Sequence, residues 1–192
     1  MSRVFIGIGS NIDPDHKVTE AIRSLACIFR IVGISTVWRT KAIGKTPQPP
    51  FYNLVVEIET RMSPPQLKAR VLRRIEDELG RRRSGDRYAP RTIDLDILLY
   101  GEHVVAADGL TIPAPDICAR SFLAAGICEL APDLVLPGSK EPIRQIARRL
   151  GQRGLKKLPG FTRSLRELIR SAQPTGRGTP PAISGEDPFD QV

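Results

Sequence analysis

The chain has 192 residues, 41% hydrophobic and 26% charged, with 29 basic against 21 acidic side chains and a formal net charge of +8. This length and composition fit one globular domain with a tail, or one large domain, and they exclude a transmembrane helix, because nothing approaches the roughly 18 consecutive apolar residues that a span requires. Cys27, Cys118 and Cys128 form neither a metal-ligand spacing nor an even disulfide set, and two histidines argue against a histidine-rich metal site. Residues 1–9 enter an apolar run directly, without the features of a signal peptide, so a cytoplasmic protein with reduced thiols and no membrane partner is expected.

Residues 4–8 read as a short buried strand ended by Gly9-Ser10-Asn11. Asp13-Pro14 opens a helix on which Val18, Ile22, Leu25 and Phe29 recur at helical spacing, with Gly33 following it. A second strand is expected over 34–39, then a proline-rich loop over 41–50. Residues 52–60 alternate cleanly, Leu54, Val56 and Ile58 on one face and Asn53, Val55, Glu57 and Glu59 on the other. Ser63, Pro64 and Gln66 make a helix start with a capping box, Leu67, Val71, Ile75 and Leu79 form its apolar stripe, and Gly80 stops it. A polar loop over 81–89 leads into a strand over 91–100. Residues 104–112 suggest a hairpin turning at Asp108-Gly109, and 118–130 and 142–150 read as two further helices. The order is βαββαβ and then αα, which predicts an α+β sandwich with helices packed on a mostly antiparallel sheet. Residues 1–150 form that domain. Phe161, Leu165, Leu168 and Ile169 mark a short helical extension over 151–172, and the Pro/Gly/Ser-rich residues 173–192 read as a disordered tail.

The most telling stretch is Pro90-Arg91-Thr92-Ile93-Asp94-Leu95-Asp96-Ile97. On a strand, Asp94 and Asp96 share one face while Ile93, Leu95 and Ile97 take the other. Two adjacent like charges are unfavourable unless a cation relieves them, and Mg²⁺ is typically held by one or two carboxylates plus substrate phosphates. Arginines 81, 82, 83, 87 and 91 crowd the approach, and guanidinium is shaped for phosphate. The combination describes a polyphosphate site. It accounts for the basic charge at least as well as DNA does, and aromatic residues, at 5%, provide little stacking surface, so no nucleic-acid partner is expected.

Five pieces in order resemble the 6-hydroxymethyl-7,8-dihydropterin pyrophosphokinase family of folate biosynthesis: Ile8-Gly9-Ser10-Asn11, Trp38-Arg39-Thr40, Phe51-Tyr52-Asn53, Ile75-Glu76 with Leu79-Gly80-Arg81, and the Pro90–Ile97 motif. A sixth, Leu110-Thr111-Ile112-Pro113 followed by Arg120-Ser121-Phe122, is partial. The resemblance covers roughly residues 3–150. It implies a ferredoxin-like sandwich and transfer of diphosphate from ATP to the pterin's hydroxymethyl oxygen, releasing AMP. It further implies that Asp94 and Asp96 hold two Mg²⁺ ions, and that Arg81 and Arg91 are catalytic. Thr40, Ile43, Phe51, Asn53 and Phe122 would hold the pterin. Glu76, Arg83, Tyr88, Thr111 and Arg120 would surround the nucleotide and its phosphates. ATP and the dihydropterin are the implied partners, and a monomer the implied state. One departure stands out: the family usually has histidine after the proline of the Thr-x-Pro piece, where this chain has Ala114.

Other readings of the same residues remain. A two-metal nucleotidyltransferase also uses an Asp-x-Asp strand, but the usual Gly-Ser helix start ahead of it is absent. Ala114 motivates a pterin- or nucleotide-binding homologue of reduced activity. Phe51 and Phe122 could be core residues, and Asp94 and Asp96 a solvated strand face paired with arginines. Gly7, Gly9 and Gly33 are most economically turn or close-packing glycines, since the third glycine of a dinucleotide loop is missing.

Overall fold

The structure is a computed structural model that describes residues 1–42, 47–83, 89–107 and 109–172. β1 (Ser2–Ser10) is followed by α1 (Pro14–Ile28), β2 (Arg30–Ile34), β3 (Trp38–Thr40) and β4 (Phe51–Thr60). A continuous helical run then comprises α2 (Pro64–Gln66), a π-helical segment Leu67–Leu72 and α3 (Arg73–Glu78). β5 (Asp94–Tyr100), the hairpin β6 (Val105–Ala107) and β7 (Leu110–Ile112), α4 (Ser121–Leu130), α5 (Ile143–Leu150), β8 (Lys156–Lys157) and α6 (Pro159–Ala172) complete the order.

The main sheet runs β5-β1-β4-β3-β8, with β2 also paired to β4, and every pairing is antiparallel. β2 and β3 share one edge of β4: β2 pairs residues 56–59 and β3 pairs 51–53. This is the ferredoxin-like arrangement expected for βαββαβ.

Alternation along the strands builds two cores. Val4, Ile6, Ile8, Leu54, Val56, Ile58, Leu95 and Ile97 face α1, the π-helical run and α6. Phe5, Val55, Leu98 and Leu99 face α4 and α5 on the other side. The β1–β5 register shifts between Phe5 and Ile6, leaving Leu98 as a bulge residue. Beyond that bulge the second face carries Gly7, Gly9, Asn53, Asp94 and Asp96, and it opens into a cavity lined at its rim by Phe122 and Leu123 of α4. The fold thus buries one end of this face and leaves the other end for a ligand.

Several boundaries differ from the sequence reading for identifiable reasons. Gly33 lies inside β2 instead of ending a helix; a Cβ there would come within 2.9 Å of Leu130 Cδ2, so the glycine admits α4. The single strand expected over 34–39 is two short strands. The capping box is formed, with Ser63 N–H donating to Gln66 Oε1 at 3.0 Å. The helix it starts is not uniform: three exact four-residue steps drift by about 120° on an ideal α-helix, and the π-helical segment takes up that drift. β8 was not foreseen. Leu165 of α6 belongs to the first core, and Phe161 packs on Tyr52 with ring centroids 5.8 Å apart. Residues 173–192 lie outside the described residues, as does Asp108 of the hairpin turn.

Candidate active site

The hydrogen-bonded register sets the site. Gly9 pairs with Asp94 on one side and with Asn53 on the other, so Asp94, Gly9 and Asn53 form one row across β5, β1 and β4. Gly7 pairs with Asp96 in the next row on the same face. Two strand spacings separate the acid end from the amide end, about 10 Å, and the residue between them has no side chain. A Cβ on Gly9 would lie 3.0 Å from Asn53 Oδ1, so any larger residue there would push the amide out of place.

The cavity holds about 440 Å³. Thr40, Phe51, Asn53, Lys68, Arg91, Asp94, Asp96, Thr111, Arg120 and Phe122 all line it. Five of the six sequence pieces therefore converge on one space, while Ile75, Glu76 and Arg81 of the remaining piece do not line it. Asn53 is buried and its Nδ2 donates to Thr40 Oγ1 at 2.8 Å, which orients the amide. Of the remaining residues singled out in the sequence, Ile43 and Tyr88 lie outside the described residues. Arg81 reaches the site through Asp94, and Glu76 and Arg83 stand behind it.

The carboxylates are unequal. Asp94 is 21% exposed and takes Arg81 Nη1 at 3.1 Å on Oδ1 and Arg91 Nη1 on Oδ2. Arg81 Nη1 also donates to the Ile93 carbonyl at 2.6 Å, which fixes its fork beneath the strand. Asp96 is 60% exposed and takes Lys68 Nζ at 2.8 Å. Both acids face the cavity, as the two-residue strand period requires. Among the described residues no group of three or more His, Cys, Asp or Glu gathers as a protein cage. Asp94 has both oxygens in ion pairs and Asp96 has one, yet each carboxylate oxygen keeps a further lone pair, so the two suit a hard cation completed by substrate oxygens.

Glu76 is 3% exposed and props the acid strand from below. Its Oε1 accepts the Leu95 N–H at 2.8 Å, the amide between the two aspartates, and its Oε2 accepts Arg83 Nη2 at 2.6 Å. Burial, more than any other influence, raises the Glu76 carboxyl above its ordinary value of 4.5. The folded chain then holds that proton more tightly than the unfolded chain. The group's contribution to stability is complete below the unfolded value and is lost as pH rises through the raised folded value. Glu76→Gln cannot titrate. Its urea midpoint is expected to gain on that of the wild type between mildly acid and neutral pH. Midpoints that stay parallel over that window would contradict the assignment.

Two residues of the site escaped the sequence reading. Lys68 looks like one more polar position on an amphipathic helix, and only the overlong four-residue stripe hints at the π-helical segment that turns it to the cavity. Asn11 stands in a strand-end turn and in the first piece of the resemblance, but neither assigns it a role. It is 2% exposed; its N–H donates to the Arg91 carbonyl at 3.1 Å, its Oδ1 accepts the Arg91 N–H at 2.8 Å, and its Nδ2 donates to the Pro49 carbonyl at 3.2 Å.

Comparison with known proteins gives the family. The family model described as 7,8-dihydro-6-hydroxymethylpterin-pyrophosphokinase (HPPK) matches residues 5–132. The chain belongs to the HPPK family. It is 38% identical over 153 residues to a 2-amino-4-hydroxy-6-hydroxymethyldihydropteridine pyrophosphokinase of Haemophilus influenzae, covering 77% of this chain and 94% of that one. The enzyme of the same name from Pseudomonas aeruginosa is 33% identical over 163 residues, covering 83% and 99%. Among solved structures, the Plasmodium falciparum HPPK-DHPS wild type with pteroate matches with a TM-score of 0.67 at 11% identity, covering 81% of this chain and 47% of that one. That likeness shows the fold, and this chain spans less than half of that two-part protein.

Proposed function

We propose that this HPPK chain transfers the terminal diphosphate of ATP to the hydroxymethyl oxygen of 6-hydroxymethyl-7,8-dihydropterin, giving AMP and the pterin diphosphate for folate biosynthesis. The row Asp94–Gly9–Asn53 across the sheet carries this reading. It sets a hydrogen-bonding amide at one end of an open face and an acid pair at the other, about 10 Å apart.

Asn53, oriented by Thr40, reads the flat hydrogen-bonding edge of the pterin, and Phe51 and Phe122 at the cavity wall offer their rings to its faces. The hydroxymethyl group then points along the bare Gly9 backbone toward Asp94 and Asp96. These two acids would hold Mg²⁺, two ions in this reading, which when bound neutralises the triphosphate and the attacking oxygen. Arg91 and Arg81, anchored on Asp94, present fixed positive charge where the transferred group and the departing AMP carry negative charge. Arg120 and Thr111 line the nucleotide side. In the balanced step the hydroxymethyl oxygen gives up its proton to solvent and bonds to the β-phosphorus, while the bond from that phosphorus to the α,β-bridging oxygen breaks and AMP leaves with that oxygen. A reducing, cytoplasmic setting fits the free thiols of Cys27, Cys118 and Cys128.

Ala114 lines the cavity in the place where the resemblance leads one to expect histidine, and this favours a second reading: a homologue that binds both substrates and turns over slowly. Product analysis separates the possibilities. Incubation with Mg-ATP and the hydroxymethyl-dihydropterin is expected to yield AMP in step with the pterin diphosphate. ADP as the sole product would overturn diphosphoryl transfer, pyrophosphate release would indicate a nucleotidyltransferase, and tight pterin binding without product would support the slow homologue.

A further inference from the structure

We propose that Lys68 is a resident counter-ion of the acid pair, a positioning residue that competes with the divalent cation for Asp96 until a polyphosphate arrives. The inference rests on the function proposed above, and it concerns how that site is loaded. Lys68 Nζ donates to Asp96 Oδ1 at 2.8 Å and to the Leu95 carbonyl at 2.7 Å. Its side chain is only 23% exposed, although lysine ordinarily extends its head into water. The π-helical segment Leu67–Leu72 brings it there.

The cations are divided by type. The two guanidiniums, rigid forks that keep their charge, hold Asp94, while the compact ammonium on a flexible stem holds Asp96. Among the described residues, three cations therefore sit directly on the two carboxylates. A bare divalent ion reaching Asp96 meets the ammonium on Oδ1 and must displace it or sit beside its charge. A triphosphate reverses both terms. It brings negative charge into the same cavity and gives the displaced ammonium new oxygen acceptors, so the metal enters most favourably together with the nucleotide. Lys68 thus links metal occupancy to nucleotide occupancy.

Manganese affinity, followed by electron paramagnetic resonance of free Mn²⁺, tests the linkage without turnover. Lys68→Met keeps the apolar stem and removes the charge. The nucleotide-free variant is expected to bind Mn²⁺ about fivefold more tightly than the wild type, the scale of one partly exposed ion pair. The gain in Mn²⁺ affinity produced by a methylene-bridged ATP analogue is expected to shrink correspondingly. Lys68→Arg, which keeps the charge, is expected to restore weak nucleotide-free binding. Unchanged or weaker Mn²⁺ affinity in Lys68→Met, beside measurable binding in the wild type, would overturn the role of Lys68 alone. A wild type that takes up no Mn²⁺ even with the analogue would overturn both this role and the metal site itself.

Discussion

Asp94→Asn is expected to lower kcat/KM for diphosphoryl transfer by about 10³-fold or more, at least the loss seen when one preorganised electrostatic group is removed from a reacting centre. Asparagine has nearly the same volume as aspartate and suits the same strand face, so the change strips charge without opening a hole. It removes one proposed metal ligand. It also removes the common anchor of Arg81 and Arg91, whose guanidiniums meet on the two Asp94 oxygens. The two arginines would then repel each other across a neutral amide, so their proposed aim at the phosphates would degrade along with the proposed metal site. Arg81 keeps its bond to the Ile93 carbonyl, which limits the structural damage. The stability cost should be about 1 kcal/mol, the scale of a partly exposed ion pair. Asp96→Asn makes the informative comparison. Asp96 is 60% exposed with Lys68 as its ion-pair partner, so its loss should leave stability nearly unchanged while turnover falls to a similar degree. Initial rates of AMP release, read beside thermal melts of both variants, check this. Activity of Asp94→Asn within tenfold of the wild type would remove Asp94 from the catalytic role.

Local rules made some of this site legible in the sequence. Asp94 and Asp96 announce themselves because a strand has a period of two, and Leu95 and Ile97 on the opposite face fall into the first core as that period requires. Ser63 and Gln66 mark a helix start because the capping box satisfies backbone donors within four residues. The features that were missed depend on partners distant in the chain. Gly33 reads as a turn or a close-packing glycine, and only the distant α4 decides for close packing, with Leu130 Cδ2 2.9 Å from where a Cβ would stand. Lys68 reads as solvent-facing until the π-helical segment rotates it toward β5. The second-face residues Gly7 and Gly9 do pack closely, as the plain reading supposed, and their shared row with the acids adds what no local pattern could: they keep the path between amide and carboxylates clear. Arg83 is readable from the arginine cluster, whereas Glu76 is readable only through the resemblance. The structure adds that Glu76 accepts the amide proton of Leu95, a contact with no signature in spacing or composition.

Asn11→Ala is expected to cost about 2–4 kcal/mol of folding stability, the range for breaking a buried hydrogen-bond network. The side chain is buried at the end of β1 and joins three segments. With Arg91 it exchanges two bonds, its N–H to the Arg91 carbonyl at 3.1 Å and the Arg91 N–H to its Oδ1 at 2.8 Å, which continues the β1–β5 pairing one step past the strands. Ser10 adds a bond from its hydroxyl to the Thr92 carbonyl at 2.5 Å. On its other side Asn11 Nδ2 donates to Gln48 Oε1 at 3.3 Å and to the Pro49 carbonyl at 3.2 Å, holding the segment that leads into Phe51. One amide therefore sets the backbone that carries Arg91 together with the segment leading to Phe51, the proposed pterin wall. Alanine leaves the Arg91 N–H without its acceptor and releases the proline segment, so kcat and pterin KM should both worsen. This separates Asn11 from Asp94, whose neutralisation should reduce kcat with little change in pterin affinity. Asn11→Asp supplies the control. It restores the acceptor for the Arg91 N–H but turns the donor toward Pro49 into a second acceptor, so it should recover the Arg91-dependent rate better than the pterin affinity. Urea unfolding and steady-state kinetics of the three proteins decide the matter, and an alanine variant as stable as the wild type would show that the network is dispensable.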